Sequence, residues 1–218
     1  MVAFDERKNH LARRLFEVGA VQFEPMQGFR LNAHDTHPEA PRSPFYIDGL
    51  GPFLSFPRLL NDAADLVIAA GRAFFGESDR ISDVPLGSTP LAVSVMLKTY
   101  IPMISPYRDA AGGIAGQWKL GQRVVVIESV RSTGSSLGTV IDLYEAQGLA
   151  VVGTVVLIDR GSPEDAPVAG RPFRAVYHWS WLLDLYQRIT VITDELRRRC
   201  VEYPAALSAH VRNCPGCK

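Results

Sequence analysis

Residues 124–136, VVVIESVRSTGSS, constrain the fold more than any other stretch of this chain. Four apolar β-formers at 124–127 run into Glu128 and Ser129. A short loop of Gly and hydroxyl side chains follows: Ser132, Thr133, Gly134, Ser135 and Ser136. A helical pattern then runs from 137 to 147, with Leu137, Val140, Ile141 and Tyr144 at helical spacing, and Gly148 ends it. The order is strand, loop, helix. Small residues let the backbone curl so that several N–H groups point inward. Hydroxyls add donors, and the positive end of the helix faces the same spot. Such a loop suits a phosphate monoester, and an acidic residue at the end of the strand suits a sugar hydroxyl or a magnesium ion.

The flanking sequence predicts a sheet around this unit. Residues 7–18 read as a helix with an apolar stripe of Leu11, Leu15, Phe16 and Val18, and a short strand follows around Val21 and Phe23. Residues 32–44 are polar and Pro-rich, and predict a loop. Within it His34, Asp35 and His37 have a spacing open to a metal, though a solvated loop is the commoner use. SPFYIDG at 43–49 reads as a compact strand, and 57–75 as one long amphipathic helix with Ser55 as a cap. Residues 80–85 offer little continuous apolar surface for a strand. Ser88 or Thr89 can cap a helix that has Pro90 at its first position. Residues 103–105, 151–158 and 173–181 read as strands, 106–117 as a mobile loop, and 182–199 as a helix. Strands alternating with helices imply a parallel α/β sheet with right-handed crossovers, whose ligands bind beyond the carboxyl ends of the strands.

Composition excludes several classes. The 23 basic residues balance the 23 acidic ones, so no net field favours nucleic acid or a membrane. No apolar run approaches the roughly 20 residues of a membrane span, and the first ten residues hold no apolar signal core. A cytoplasmic protein is expected. Four of the basic residues are Lys (Lys8, Lys98, Lys119 and Lys218), leaving 19 Arg. Lys is the cation that readily gives up a proton, so its scarcity bears on chemistry.

The 124–136 stretch resembles the signature of type I phosphoribosyltransferases, in which an apolar strand and two acidic residues precede a Thr-Thr-Gly-Gly-Ser-like loop. The resemblance spans about residues 8–161. LFEVGAVQF at 15–23 and SPFYID at 43–48 match, in order, the helix end and hood strands of the orotate branch. It implies a parallel-sheet α/β core at 51–182, an N-terminal helix and hood at 1–50, and a C-terminal helix and tail at 183–218. It implies that Ser132, Thr133, Gly134, Ser135 and Ser136, with Ser129, hold phosphoribosyl pyrophosphate (PRPP). Gly87, Ser88 and Thr89 would receive the pyrophosphate, and Phe45 and Tyr46 the base. Glu128 would address the ribose, directly or through Mg2+. The implied protein is a homodimer that transfers a phosphoribosyl group between PRPP and orotate.

The chain departs from the pattern in places. Ser129 replaces the second acid. The Arg-Lys pair and later Lys of the family's mobile loop fall on Tyr107, Arg108 and Ala111, so Arg108 is left to clamp pyrophosphate, with Lys119 just beyond. Asn32 falls near the family's Lys between the hood strands. Arg131 stands where an apolar or small residue is usual, either reaching an anion or solvated. These changes keep two other readings open: a PRPP or nucleotide sensor without turnover, and a phosphoribosyltransferase for another base. Separately, Cys200, His210, Cys214 and Cys217 could supply four zinc ligands, or form a metal-free tail.

Overall fold

The structure is a computed structural model and describes residues 2–31, 33–107, 113–161 and 165–213. In chain order the elements begin with α1 (Val2–Glu17), β1 (Val21–Phe23), α2 (Ala33–Thr36) and β2 (Phe45–Ile47). Next come α3 (Gly51–Ser55), α4 (Pro57–Ala70), α5 (Arg72–Phe75), β3 (Arg80–Asp83) and α6 (Thr89–Thr99). Then follow β4 (Met103–Pro106), β5 (Ile114–Ala115), β6 (Arg123–Arg131), α7 (Ser135–Ala146) and β7 (Ala150–Asp159). The chain closes with β8 (Phe173–His178), α8 (Trp179–Arg188) and α9 (Asp194–Asn213).

The main sheet has the order β5-β4-β3-β6-β7-β8, with every pairing parallel except β5 against β4. β6 and β7 sit centrally, as their apolar runs predict. Alternation along β6 feeds two cores. Val125 and Ile127 enter the larger cluster, shared with α1, α4, α6, α8 and α9. Val124 and Val126 enter a second cluster covered by α7 through Leu137, Val140, Ile141 and Tyr144. β1 and β2 form a separate antiparallel pair, the hood.

The weak pattern at 80–85 still makes a strand, because its polar side chains are paired rather than solvated. Ser82 shares a 2.6 Å hydrogen bond with the buried Tyr144 hydroxyl of α7. Asp83 is fully buried and accepts from Ser105 at 2.6 Å and from Thr89. Burying these groups is tolerable only with such partners.

Three helix expectations need correction. The 57–75 helix is two, α4 and α5, broken at Gly71. A Cβ at Gly71 would lie 2.5 Å from Val155 Cγ2, so only glycine lets this turn approach β7. Ser55 does not cap α4: it ends α3, and its hydroxyl donates back to Gly51 O at 3.0 Å. The 182–199 helix is also two. α8 stops at Arg188, Thr190 takes a left-handed φ of 61°, and α9 starts at Asp194. The 32–44 loop holds the short α2, where His34 is buried with Nδ1 3.0 Å from Leu31 N. Asp35 pairs with Arg30 instead of joining the histidines.

Candidate active site

The loops after β3, β6 and β7 converge at the carboxyl end of the sheet. Gly134 begins α7 in the left-handed conformation at φ 82°, which turns the loop abruptly into the helix. Among the described residues, the amides of Thr133, Gly134, Ser136 and Leu137 have no acceptor, and the Ser135 amide has only the Thr133 hydroxyl at 3.4 Å. Ser132, Thr133, Ser135 and Ser136 are exposed. Free amides, exposed hydroxyls and the positive end of α7 therefore meet at one point, which is what a phosphate dianion requires.

The loop before α6 has similar residues and a different fate. The Ser88 hydroxyl donates to Val84 O at 2.6 Å and accepts from Val84 N at 2.8 Å. The Thr89 hydroxyl donates to Asp83, and the Thr89 amide to Leu86 O at 3.1 Å. Both hydroxyls are thus engaged within the protein, so a pyrophosphate at this loop would meet its backbone rather than these side chains. Gly87 lies by Ser129: a Cβ there would be 3.6 Å from Ser129 Oγ. Ser129 is itself 5% exposed, because the hood loop packs on it. A Cβ at Gly49 would fall 2.4 Å from Ser129 Oγ. Ser129 and Gly49 are therefore in close contact, and any larger residue at 49 would collide with Ser129.

Glu128 is mostly buried, and its Oε2 has no partner among the described residues. Burial pushes its carboxyl up to about 7, with Arg131 opposing and Asp159 reinforcing the shift. It is thus poised near neutrality to accept or donate a hydrogen bond to a sugar hydroxyl. Arg131 is not solvated: it is buried, with its charge met inside the protein. β-sheet register sets it opposite Asp159, and its guanidinium binds that buried carboxylate in a bidentate pair at 2.6 and 2.8 Å. It also lies over the Phe173 ring at 4.3 Å.

A cavity of about 1050 Å³ opens between this loop and the hood. Ser132 and Thr133 form one side, Phe29, Arg30, Leu31 and Tyr46 another, and Arg131, Arg160 and Gly161 a third. Of the two expected base contacts, only Tyr46 faces it. Strand alternation turns Phe45 into the core, where it packs on Trp179 at 4.5 Å.

Arg160 is the residue that local reading missed. It follows the carboxyl end of β7 directly, the position where parallel sheets place ligand groups, and that was the available signal. Its guanidinium stacks over Phe45 at 4.7 Å, and Nε is buried without a partner among the described residues. Burial lowers its pKa, yet an arginine so placed stays charged. Lys119 lies elsewhere, in a surface depression with Arg80 and Trp118. Arg108, Ala111, Asn32, Cys214 and Cys217 lie outside the described residues. Cys200 and His210 cannot share a zinc ion. They are ten residues apart on the continuous α9, about 15 Å along its axis, and Cys200 is buried in the apolar core.

Comparison with known proteins agrees with this geometry. Residues 96–186 match the family model described as Phosphoribosyl transferase domain. Orotate phosphoribosyltransferase of Archaeoglobus fulgidus is 29% identical over 82% of this chain and 93% of its own length. That of Agrobacterium fabrum is 30% identical over 72% of this chain and 67% of its own. The structure of Leishmania donovani UMP synthase superposes with a TM-score of 0.74 at 28% identity, covering 92% of this chain and 42% of that one. No described helix is long and apolar enough to cross a membrane. With free amides and exposed hydroxyls at the head of α7 and a parallel sheet like that of these relatives, the chain belongs to the type I phosphoribosyltransferase family of enzymes, in its orotate branch.

Proposed function

We propose that the protein transfers a phosphoribosyl group between PRPP and orotate, giving orotidine 5′-phosphate and pyrophosphate. One observation carries the choice of base. Among the described residues, the lining of the cavity includes Arg30, Arg131 and Arg160 and no carboxylate. Arg30 and Arg131 are already paired with Asp35 and Asp159, whereas no ion pair engages Arg160 among the described residues. A guanidinium with no ion-pair partner among the described residues, lining the same cavity as Tyr46, suits a flat base that carries its own carboxylate, and a neutral purine or pyrimidine would leave it unmatched.

In this reading the free amides and hydroxyls of 132–136 hold the 5′-phosphate. The bond from ribose C1 to pyrophosphate breaks, its electron pair leaves with pyrophosphate, and a ring nitrogen of orotate bonds to C1 and releases its proton to the departing pyrophosphate or to water. Positive charge develops on the ribose, and Glu128 in its ionised form stabilises it while orienting a hydroxyl. Among the described residues, Glu128 is the carboxylate with an unpartnered oxygen here, since Asp83 and Asp159 are engaged by hydroxyls and Arg131. That donor set fits a Mg2+ ion carried in by PRPP phosphates and water, with Glu128 as the residue to meet it. The ion would neutralise the departing pyrophosphate. Arg108 is proposed as a further cation for that group, and a homodimer as the assembly.

Pyrophosphate release by the protein with Mg2+ and PRPP, measured against orotate, uracil and adenine, tests the proposal. Release with orotate alone is expected. Release only with a neutral base would assign a different base. No release from folded protein that binds PRPP would favour a sensor, a reading to which the uncharged, covered Ser129 lends support.

A further inference from the structure

The cavity has a fourth side that the family match does not reach. The matched residues end at 186, and α9 runs over Asp194–Asn213. Its first half is fixed. Leu196, Cys200 and Tyr203 are buried in the main cluster. Arg197 pairs with Asp184 of α8 at 2.6 Å, and the Arg199 guanidinium donates to Pro25 O beyond β1. α9 is thereby fastened to the core and to the hood together. Tyr203 meets Phe45 edge-on at 5.9 Å, with its hydroxyl near Ser43 and Arg160.

From that point one face of the helix turns to the cavity. Tyr203, Pro204, Leu207 and Ser208 all line it, at the spacing of a single helical face. Leu207 is half-buried against the main cluster, so its side chain is held rather than swinging in solvent. The Ser208 hydroxyl donates to Pro204 O at 2.8 Å, which leaves its oxygen as an acceptor toward the cavity. The face thus offers apolar surface and one acceptor, opposite in character to the guanidinium of Arg160. The two together match a planar ring with a carboxylate on one edge and an N–H on another.

We propose that Leu207 and Ser208 are specificity-determining residues for the base: the α9 face limits the size of the ring and orients it against Arg160. The proposal rests on the reading of the cavity as the site of an anionic base. It assigns no contact between α9 and the phosphates, so base and PRPP affinities should separate.

The test measures KM for orotate, kcat and PRPP affinity in the full chain carrying Leu207→Trp, with Ser208→Phe as a second variant at an exposed position whose replacement leaves the core intact. Leu207→Trp fills space in the cavity and is expected to raise the orotate KM about tenfold or more, with PRPP affinity within about twofold of the parent. Ser208→Phe is expected to act in the same direction. An unchanged orotate KM in both variants overturns the proposal and leaves the orotate reading standing. An equal loss of PRPP affinity overturns it as well, because the helix would then act on the whole site. A parent protein that binds PRPP and neither binds nor turns over orotate overturns the base reading and this inference together.

Discussion

Two loops at the carboxyl end of the sheet are built from the same residue types, yet they are chemically opposite. Residues 87–89 are Gly-Ser-Thr before α6, and 132–136 are Ser-Thr-Gly-Ser-Ser before α7. In the first, Ser88 closes on Val84 and Thr89 on Asp83, so the hydroxyls stabilise the turn. In the second, hydroxyls are exposed and most amides lack acceptors among the described residues. The difference comes from what precedes each loop. β3 ends in a buried carboxylate that must be satisfied, and it draws in Thr89 and Ser105. β6 ends in Arg131, whose charge is met across the sheet by Asp159, so the 132–136 loop is not drawn in to satisfy it and spends only a Thr133–Ser135 contact on itself. A hydroxyl-rich loop before a helix becomes an anion site only where the fold leaves its donors unspent.

The contrast can be broken from the self-satisfied side. Asp83→Ala removes the acceptor for two hydroxyls and should cost about 3 kcal/mol, some 6–12 °C in Tm for a chain of this size. Thermal melts with and without PRPP would check it; an unchanged Tm would mean that Asp83 is not the anchor of that loop.

Glu128, in the strand between the two loops, sharpens the comparison through pH. Its folded carboxyl titrates at about 7 against 4.5 for a free one. The folded state therefore keeps a proton that the unfolded chain releases, and stability falls as pH rises from about 4.5 to about 7. The loss amounts to roughly 3 kcal/mol at most. Urea melts at about pH 5 and about pH 8 should show this decline in the parent and a shallower one in Glu128→Gln. Equal slopes would contradict the burial argument.

The smallest expected effect is Ser88→Ala, which deletes a side chain serving only its own turn. About 1 kcal/mol of stability should be lost. Urea denaturation would measure it, and a fully neutral change would make the Val84 contacts incidental.

Much of the parallel sheet was legible because the 124–127 and 151–158 runs are long, apolar and rich in β-branched residues. What local reading could not resolve depends on partners far away in the chain. Arg131 finds Asp159 only through strand register, and Ser82 is explained by Tyr144 on another element. Phe45 and Tyr46 were both plausible base contacts; which one faces the cavity depends on the phase of a three-residue strand. Arg160 stands in the sequence only as a residue just past the 151–158 run, and its lack of an ion-pair partner among the described residues is a tertiary fact. The helix breaks at Gly71 and Thr190 escaped because helical spacing continues across each of them.

The most direct test of the contrast is PRPP titration, with Mg2+, into Thr133→Val and Ser88→Ala beside the parent. Thr133→Val keeps the shape and removes a donor from the open loop, so PRPP affinity should fall about tenfold with little change in Tm. Ser88→Ala should bind PRPP as the parent does. Unchanged affinity in Thr133→Val, with the loss appearing in Ser88→Ala, would contradict the assignment of the two loops.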